Sequence, residues 1–408
     1  MPLPAHLKIA IIGAGPAGLT LASLLTASKH AFDFTIFEVR ERPDPVDVER
    51  PSRNLDLQEE YSLKVVKACS LYGDFLKIDS GCTEQTTIID KTGKVFLDLH
   101  GEGHPETSRN ALTQLLLSTI PRDRIKWSTK VLTVASEGIV EFQHNTAKSS
   151  ITETFDLIIG GDGVWSQVRL PSQEHLNPST AAPALSPSTS PAFPTNTPIL
   201  TSYSGEAPRL YLFLHYKCQA ATQQELQGST HDDKFGPNPI LDADRLLSTL
   251  PKNHKDLLHV LLTDPEFFST WSDEIKHLLT MACEAQSAEL PVDTRPLYML
   301  PLTPFPHPHT KGIALVGDAA HLMTPFAGKG VNIAMADSLA LVEHLEKLVG
   351  ASKGGDDFDV ELNQSLIEFE EEVSLRAKEA MTLTWMSLLL SYDEHGPERL
   401  CQIMAANH

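Results

Sequence analysis

Basic residues are scarce in this 408-residue chain: lysine and arginine total 33 against 53 aspartates and glutamates, for a formal net charge of −20 at pH 7. A surface this acidic repels phosphate backbones, so we expect no nucleic-acid partner. Long apolar runs are missing as well. No stretch approaches the ~20 residues that a membrane-spanning helix requires, so we expect no membrane span.

Cysteine is scarce and scattered. The five cysteines are Cys69, Cys82, Cys218, Cys283 and Cys401. Their odd number and the lack of a Cys-x-x-Cys pair predict neither a zinc site nor a disulfide framework, and are typical of a reducing compartment. The first residues, MPLPAHLKIAIIG, lead straight into a predicted strand without the apolar core of a signal peptide. We therefore expect a soluble, cytoplasmic protein.

The N-terminal region has the pattern of a nucleotide-binding fold. Residues 8–12 form a short apolar run typical of a buried parallel strand, a helical segment extends to about Ala27, and a second strand ends at Glu38. This strand–helix–strand order predicts an α/β fold with a Rossmann-like domain. The chain length is sufficient for two or three domains, at roughly 150 residues each.

The rest of the chain gives a coarser pattern of elements. Predicted helices and strands are a helix over 57–75, a hairpin over 86–99, a Ser-capped helix over 108–120, strands near 125–134, 139–143 and 151–159, helices within 242–286, and a long helix from about Gly330. Residues 171–208 contain eight prolines and many small residues, which predicts a linker.

A glycine fingerprint follows the first strand. Gly13-x-Gly15-x-x-Gly18 opens the first helix, and Glu38 lies twenty residues after Gly18. Glycines at these positions allow a pyrophosphate to approach the backbone at the positive end of a helix, and a carboxylate can accept hydrogen bonds from a ribose. The motif predicts dinucleotide binding but does not distinguish NAD from FAD; a structural turn is the alternative.

A second motif, some 300 residues further on, makes FAD the better interpretation. Gly317-Asp318 ends a predicted strand, and the segment from Pro325 through Gly328 and Gly330 opens a helix. Asp318 could hold hydroxyl groups of a ribityl chain, and backbone N–H groups at the helix start could face a ring system. A glycine-rich loop with a solvated Asp is the alternative.

Three segments together resemble a known family. IIGAGPAGL, DLIIGGDGVWSQVR and GIALVGDAAHLMTPFAGKGVN are similar to the signatures of FAD-dependent single-component aromatic monooxygenases, the family of p-hydroxybenzoate and salicylate hydroxylases. The last segment, with Leu55-Asp56-Leu57 and Arg109-Asn110, most resembles the tetracycline-modifying branch. The resemblance covers about residues 7–170 and 287–350 and, more loosely, the C-terminal helices. It is specific for the family and says little about the substrate.

The resemblance implies a set of cofactor-binding residues and no catalytic side chain or metal ligand. The glycine fingerprint and Glu38 would hold the ADP half of FAD, and Arg50 loosely matches an arginine that contacts NAD(P)H. The full set is Gly13, Gly15, Gly18, Glu38, Arg50, Asp56, Arg109, Asp162, Gly163, Asp318, Pro325, Gly328 and Gly330. We interpret His321 as a structural hydrogen-bonding residue, and Trp165 and Trp271 as packing residues.

The resemblance also implies a reaction, which is the one that the family catalyses. FAD would take a hydride from NAD(P)H, react with O₂, and transfer one oxygen atom from a C4a-hydroperoxyflavin to a small aromatic or polycyclic substrate. Two alternatives stay open: a flavin-binding oxidoreductase without oxygen transfer, and a catalytically impaired flavoprotein. We expect a monomer or a weak homodimer.

The resemblance also implies a domain arrangement, with two departures from the family pattern. The FAD-binding domain would comprise 1–75, 105–170 and 287–350, the mixed-sheet substrate domain 76–104 and 171–286, and the C-terminal helices 360–408. Ser52-Arg53 occupies the place of a glycine pair that the mobile flavin passes. Only a few residues separate Gly205 from the strand-like Arg209–Leu214, which predicts a shortened substrate domain.

Overall fold

The structure is a computed structural model, and the statements below concern the part of the chain that it describes. The described residues are 7–46, 54–79, 84–101, 105–135, 137–169, 179–180, 199–203, 209–213, 250–265, 267–284, 298–300, 302, 308–351, 357–391, 396, 398–399 and 401–402. The predictions for Arg50, for Ser52-Arg53 and for most of the proline-rich stretch lie outside these residues.

The strands are short and spread along the chain. They are β1 Lys8–Ile12, β2 Asp33–Phe37, β3 Asn54–Asp56, β4 Glu84–Ile89, β5 Val95–Gly101, β6 Glu106–Ser108, β7 Ile125–Lys126, β8 Thr129–Val134, β9 Ile139–His144, β10 Ile151–Thr154, β11 Leu157–Gly160, β12 Ser179–Thr180, β13 Ile199–Tyr203, β14 Arg209–Phe213, β15 Tyr298–Met299 and β16 Ile313–Leu315.

Two long helices lie in the C-terminal half. The helices are α1 Pro16–Ala27, α2 Lys64–Ala68, α3 Tyr72–Phe75, α4 Arg109–Leu117, α5 His254–Thr263, α6 Asp273–Glu284, α7 Asp318–His321, α8 Gly330–Ala351 and α9 Phe358–Ser391, with a π-helix Glu59–Leu63 and 3₁₀ turns Arg122–Arg124 and Pro325–Ala327. Within the described ranges, no helix combines the length and the apolar character needed to cross a membrane.

A five-stranded parallel sheet organises the first of two compact units, which lies within 1–80, 104–178 and 299–384. Its strand order is β16-β11-β1-β2-β7, and each neighbouring pair is parallel. Side chains of β1 alternate between two apolar clusters, Ile9 and Ile11 on one face and Ala10 and Ile12 on the other. A sheet covered on both faces explains why β1 has an uninterrupted apolar sequence. The predicted Rossmann-like α/β fold is confirmed.

The strands at the centre of this sheet all run in the same direction, so the loops that follow them lie at one edge of the sheet, the carboxyl edge. From β1 the chain continues to β2 on one side, while β11 and β16 lie on the other. Because parallel strands end at the same edge, the loops after these four strands lie together there. Ligands of open α/β sheets bind outside such carboxyl ends, at the point where the strand order reverses.

Two predicted strands are each divided between sheets. The predicted strand over 151–159 is β10 in an antiparallel sheet, β10-β9-β8, followed by β11 in the parallel sheet. The predicted strand over 125–134 divides in the same way, into β7 and β8, at Ser128, whose φ is +51°. Each strand pairs with different neighbours before and after the break, which the local sequence does not encode.

The predicted helix over 57–75 is interrupted. It forms the π-turn, α2 and α3, with the break at Ser70, whose φ is +58°. A non-glycine residue in this region of φ cannot continue a right-handed helix. By contrast α4 begins as predicted, since the Ser108 hydroxyl accepts a hydrogen bond from the Ala111 N–H at 3.1 Å.

The second unit lies within 81–103, 179–298 and 385–408. In it β4 and β5 form the predicted hairpin, with Gly93 in the turn at φ +86°. Helices α5 and α6 enclose a small apolar cluster that contains Phe268 and Trp271. β13 and β14 pair antiparallel. β13 lies inside the predicted linker 171–208 and begins directly after its Pro198, where the sequence ILTSY is free of proline and rich in strand-forming residues.

Candidate active site

The glycine fingerprint forms a tight turn between β1 and α1. Gly13 has φ +99°, and a Cβ there would lie 2.6 Å from the carbonyl oxygen of Gly161 on the neighbouring strand loop. A Cβ on Gly18 would overlap the Gly13 carbonyl. At Gly15, the residue before α1, the nearest atom to an added Cβ is 3.9 Å away. Two of the glycines are therefore required by close packing, and Gly15 leaves room at the positive end of the helix.

Glu38, at the end of β2, is buried and fully hydrogen-bonded. Its carboxylate accepts from the Ala14 N–H at 2.7 Å and from the Arg40 backbone and Nε at 2.9 and 2.8 Å. Burial acts to raise the pKa of Glu38, but the Arg40 and Ala14 hydrogen bonds outweigh it and lower the pKa. Glu38 is therefore an ionised acceptor beside the glycine turn, and the Arg40 side chain, 63% exposed, is the partner that a ribose could displace.

Asp318 lies at the end of β16, after Gly317 with φ +60°. Its residue surface is exposed, yet the surrounding protein desolvates the carboxylate enough to raise its pKa. The positive charges of His321, Arg109 and Arg169 act against that rise. An accessible but poorly hydrated carboxylate surrounded by cations is suited to bind a polar ligand. The structure thus brings Asp318 and Arg109 together, as the resemblance implies.

The loop after β11 carries Asp162 and Gly163. Asp162 Oδ2 accepts from the Gln167 N–H at 2.7 Å, while Oδ1 is buried and finds no hydrogen-bond partner among the described residues. Burial raises the pKa of Asp162. Gly163 has φ +80°, and a Cβ there would enter open space in the described part of the structure.

Arg169 fixes this loop to the Asp318 turn. Its Nε donates to the Ala319 carbonyl at 2.9 Å, one terminal nitrogen donates to the Asp318 carbonyl at 3.2 Å, and the other to Val164 at 3.3 Å. One side chain therefore holds the ends of β11 and β16 in a fixed relation.

A second pair of segments is joined by Asn332, which is buried in the first turn of α8. Its amide donates to the Asp56 carbonyl at 2.9 Å and to the Gly328 carbonyl at 3.1 Å. Gly328 has φ +61°, and its would-be Cβ lies 3.8 Å from an Asp56 carboxylate oxygen. Pro325 begins the 3₁₀ turn before it, and Gly330 begins α8 with nothing described within 4 Å of an added Cβ.

Sequence reasoning missed Arg40, Arg169 and Asn332 as site residues. Arg169 and Asn332 lie inside the segments that carry the family resemblance, so attention to every polar residue of those segments would have found them. Arg40 lies two residues after Glu38, the spacing at which side chains of an extended segment share one face.

Of the two tryptophans predicted to be packing residues, Trp271 is one and Trp165 is not. Trp271 is buried in the second unit, with its ring centroid 4.7 Å from that of Phe268. Trp165 is 53% exposed on the Asp162-Gly163 loop, so it does not pack in a core as predicted. His321 makes a buried structural hydrogen bond to Asp337, in line with the interpretation of its role.

These residues fit FAD. The glycine turn leaves an open approach to the N-terminus of the 12-residue α1, where a pyrophosphate would be stabilised. Asp162 offers a buried acceptor that no described group satisfies, and Asp318 offers an accessible one. Two arginines supply positive charge near Asp318. The described site therefore defines a class, the dinucleotide-binding flavoproteins.

Comparisons with known proteins give the same class. Residues 11–44 match the family of NAD(P)-binding Rossmann-like domains, and residues 271–357 match an FAD binding domain. The crystal structure of HpxO from Klebsiella pneumoniae, complexed with FAD and uric acid, superposes with a TM-score of 0.66 at 17% identity and covers 98% of this chain and 92% of that chain. At this identity the likeness concerns the fold.

Sequence relatives identify the family. The chain is 49% identical to monooxygenase penA of Penicillium thymicola over 99% of this chain and 100% of that protein. It is 25% identical to kynurenine 3-monooxygenase of Saccharomyces cerevisiae over 84% of this chain and 75% of that protein. The chain belongs to the FAD-dependent monooxygenase family, and it is an enzyme with FAD as cofactor and NAD(P)H as co-substrate. The predicted family and cofactors are confirmed.

Proposed function

We propose that the enzyme hydroxylates a small aromatic or polycyclic organic compound. The observation that carries this proposal is the match to a relative named for kynurenine, an aromatic compound. Oxygen transfer to such rings is the reaction that the family resemblance implies.

The cofactor roles of the individual residues are part of this proposal. Bound FAD supplies hydride acceptance from NAD(P)H and the activation of O₂. The glycine turn and Glu38 would hold the ADP half, with Arg40 giving up some of its bonds to the carboxylate. Asp318 and Arg109 would bind the central part of the cofactor through charge-assisted hydrogen bonds. The Asp162-Gly163 loop would face both FAD and NAD(P)H.

The ring end of the cofactor would be positioned by backbone. Pro325, Gly328 and Gly330 would lie against it, and Asn332 holds the Gly328 carbonyl and the Asp56 carbonyl at fixed positions. A rigid loop places its N–H groups before any ligand arrives, so little reorganisation accompanies binding. Arg50 stays a sequence-based candidate for NAD(P)H.

We further propose that the substrate domain is shortened. The alignment with penA runs over 436 positions, 28 more than the 408 residues of this chain, so that alignment contains positions with no residue here. This supports the prediction made from the short interval between Gly205 and Arg209. The proposed domain limits are those given above. The scattered cysteines favour a reducing, cytoplasmic compartment, and we propose a monomer or a weak homodimer.

An oxygen-isotope experiment tests the reaction. Purified enzyme with FAD is screened for substrate-stimulated NADH and NADPH oxidation against phenols, anilines and polyketides, and products are analysed by mass spectrometry under ¹⁸O₂. A product heavier by one ¹⁸O atom, formed only with reductant, supports the proposal. If every aromatic compound tested stimulates NAD(P)H oxidation but yields only peroxide and no labelled product, the result would instead support the alternative, an oxidoreductase without oxygen transfer.

A further inference from the structure

Two threonine hydroxyls join the segment before α8 to α9. We call residues 322–328 the ring-end loop, because Pro325 and Gly328 within it are proposed to lie against the ring of FAD. The Thr384 hydroxyl, on α9, donates to the Thr324 carbonyl at 2.6 Å, and the two hydroxyl oxygens lie 2.9 Å apart. Both threonines are buried, and 60 positions separate them in the sequence. Neither is among the residues proposed to touch the cofactor.

The directions of these hydrogen bonds follow from the number of protons. A carbonyl can only accept, so the single hydroxyl proton of Thr384 is donated to the Thr324 carbonyl. The Thr384 oxygen then accepts the proton of the Thr324 hydroxyl. Because Pro325 has no N–H, the Thr324 carbonyl is the one hydrogen-bonding group of the peptide bond that leads into the 3₁₀ turn. Thr384 therefore binds that peptide bond at its only polar handle.

Thr384 differs in its bonding from other threonines on helices. A hydroxyl inside a helix can bond the carbonyl four residues earlier, within its own helix. Five threonines of the described helices do so, namely Thr26, Thr113, Thr263, Thr280 and Thr382. Thr384 donates to another segment instead. What its hydroxyl holds in place is therefore the ring-end loop and not the helix that carries it.

Backbone groups hold the two ends of the ring-end loop. The Leu322 carbonyl accepts from the Leu300 N–H at 3.0 Å, and the Gly328 carbonyl accepts from the Asn332 amide at 3.1 Å. The threonine pair lies between these two points and immediately before Pro325. It therefore fixes the part of the loop at which the flavin ring is proposed to lie.

We propose that Thr384 is a positioning residue for the flavin, which acts through Thr324 to fix the backbone of the ring-end loop beside the ring of FAD. A loop that is held in place before the flavin gains electrons needs little reorganisation when the charge on the ring changes. The inference rests on the proposed contact of Pro325 and Gly328 with the ring, and it is independent of the substrate.

Two substitutions at Thr384 separate the hydroxyl from the methyl group. Thr384→Val keeps the branched shape and removes the hydroxyl, whereas Thr384→Ser keeps the hydroxyl and removes the methyl group. In Thr384→Val we expect flavin reduction by NAD(P)H, measured by anaerobic stopped-flow absorbance of the holoenzyme, to slow roughly twofold to tenfold, the effect of one neutral hydrogen bond. The visible circular dichroism of bound FAD should change as well.

Thr384→Ser should keep the wild-type reduction rate and the wild-type flavin spectrum. A role in packing alone would give the opposite ranking, because serine leaves a small cavity and valine does not. A wild-type rate and spectrum in Thr384→Val, or a larger effect in Thr384→Ser than in Thr384→Val, would overturn the proposal.

A matched control lies two residues away on the same helix. The exposed Thr382 donates to the Lys378 carbonyl within α9, so Thr382→Val removes a helical hydroxyl that does not reach the loop, and we expect the wild-type rate and spectrum. If Thr384→Val does not fold with FAD, Thr324→Val removes the other hydroxyl of the pair and should slow flavin reduction in the same direction. A wild-type rate in Thr324→Val would then overturn the proposal.

Gly328→Ala tests the contact on which the inference rests. Gly328 has φ +61°, where alanine is strained, so the turn must shift and the spectrum of bound FAD should change. A changed spectrum in Gly328→Ala beside a wild-type spectrum and rate in Thr384→Val would overturn the role of Thr384 and leave the proposed contact in place. A wild-type spectrum in Gly328→Ala would overturn the contact and the inference together.

Discussion

Arg169 donates a hydrogen bond from its Nε to the carbonyl of Ala319, 150 positions away in the sequence, at 2.9 Å. The bond joins the loop after β11 to the turn after β16. Both strands end at the same edge of the parallel sheet, next to the glycine turn. Arg169 therefore holds the Asp162 loop and the Asp318 turn, which carry two of the acidic groups of the site, in a fixed relation.

Arg169→Ala should destabilise the protein, because the carbonyls of Val164, Asp318 and Ala319 lose their donor. We expect a loss of about 1–3 kcal/mol in the free energy of unfolding. Urea denaturation measures it. Arg169→Lys keeps the charge but not the planar guanidinium with its several N–H donors. It should therefore recover less than half of the free energy of unfolding that Arg169→Ala loses. Full recovery by lysine would show that charge alone matters here.

The two acidic groups should differ in their importance for FAD. Asp318→Ala removes an accessible carboxylate for which we propose charge-assisted hydrogen bonds to FAD. Such bonds are typically worth ~1.5–3 kcal/mol, so FAD affinity should decrease roughly tenfold to a hundredfold. Asp162→Ala should have a smaller effect, since one Asp162 oxygen already bonds within its own loop. Titration of the flavin-free proteins with FAD gives both constants. Equal losses for the two variants would contradict this division.

The glycine turn offers a test that separates folding from cofactor binding. Gly18→Ala places a methyl group against the Gly13 carbonyl, and the helix must shift, so the melting temperature should fall even without FAD. In Gly15→Ala the new Cβ lies 3.9 Å from the nearest atom, so the flavin-free variant should melt at the wild-type temperature. The same methyl group would stand where the pyrophosphate approaches the helix, so the variant should bind FAD more weakly. Loss of stability in Gly15→Ala would mean that this glycine is required by packing.

Trp271 and Trp165 should differ strongly in what their truncation costs. Trp271→Ala leaves a cavity in the second unit beside Phe268, and we expect it to lose about 3–5 kcal/mol of stability. Trp165 is half exposed, so Trp165→Ala should change the free energy of unfolding by less than about 0.5 kcal/mol. Chemical denaturation followed by circular dichroism compares them.

The proposed shortened substrate domain should cause uncoupling. A site that admits water loses protection against side reactions, so much of the NAD(P)H consumed should yield hydrogen peroxide even with the best substrate found. Peroxide and hydroxylated product, each measured against NAD(P)H consumed, give the coupling ratio. Product close to stoichiometric with NAD(P)H would mean that the chain closes over its substrate despite the shorter domain.

The sequence by itself determined the features that depend on neighbouring residues. The apolar run of β1, the glycine turn and the Ser108 cap each follow from a few consecutive side chains, and they appear in the structure within a residue or two of their predicted positions. Glu38 and Asp318 became candidates for the same reason: each lies within three residues of a strand end, and strand ends are recognisable from local pattern.

Only the tertiary structure decided which distant residues act together. Arg169 meets Ala319, Asn332 meets Asp56 at a separation of 276 positions, and Arg376 reaches Asp337 from another helix. No local pattern specifies such pairs, because each depends on how sheet and helices pack. The same holds for the division of the predicted strand over 151–159, where a change of pairing partners, not a change in residue preference, ends one strand and begins the next.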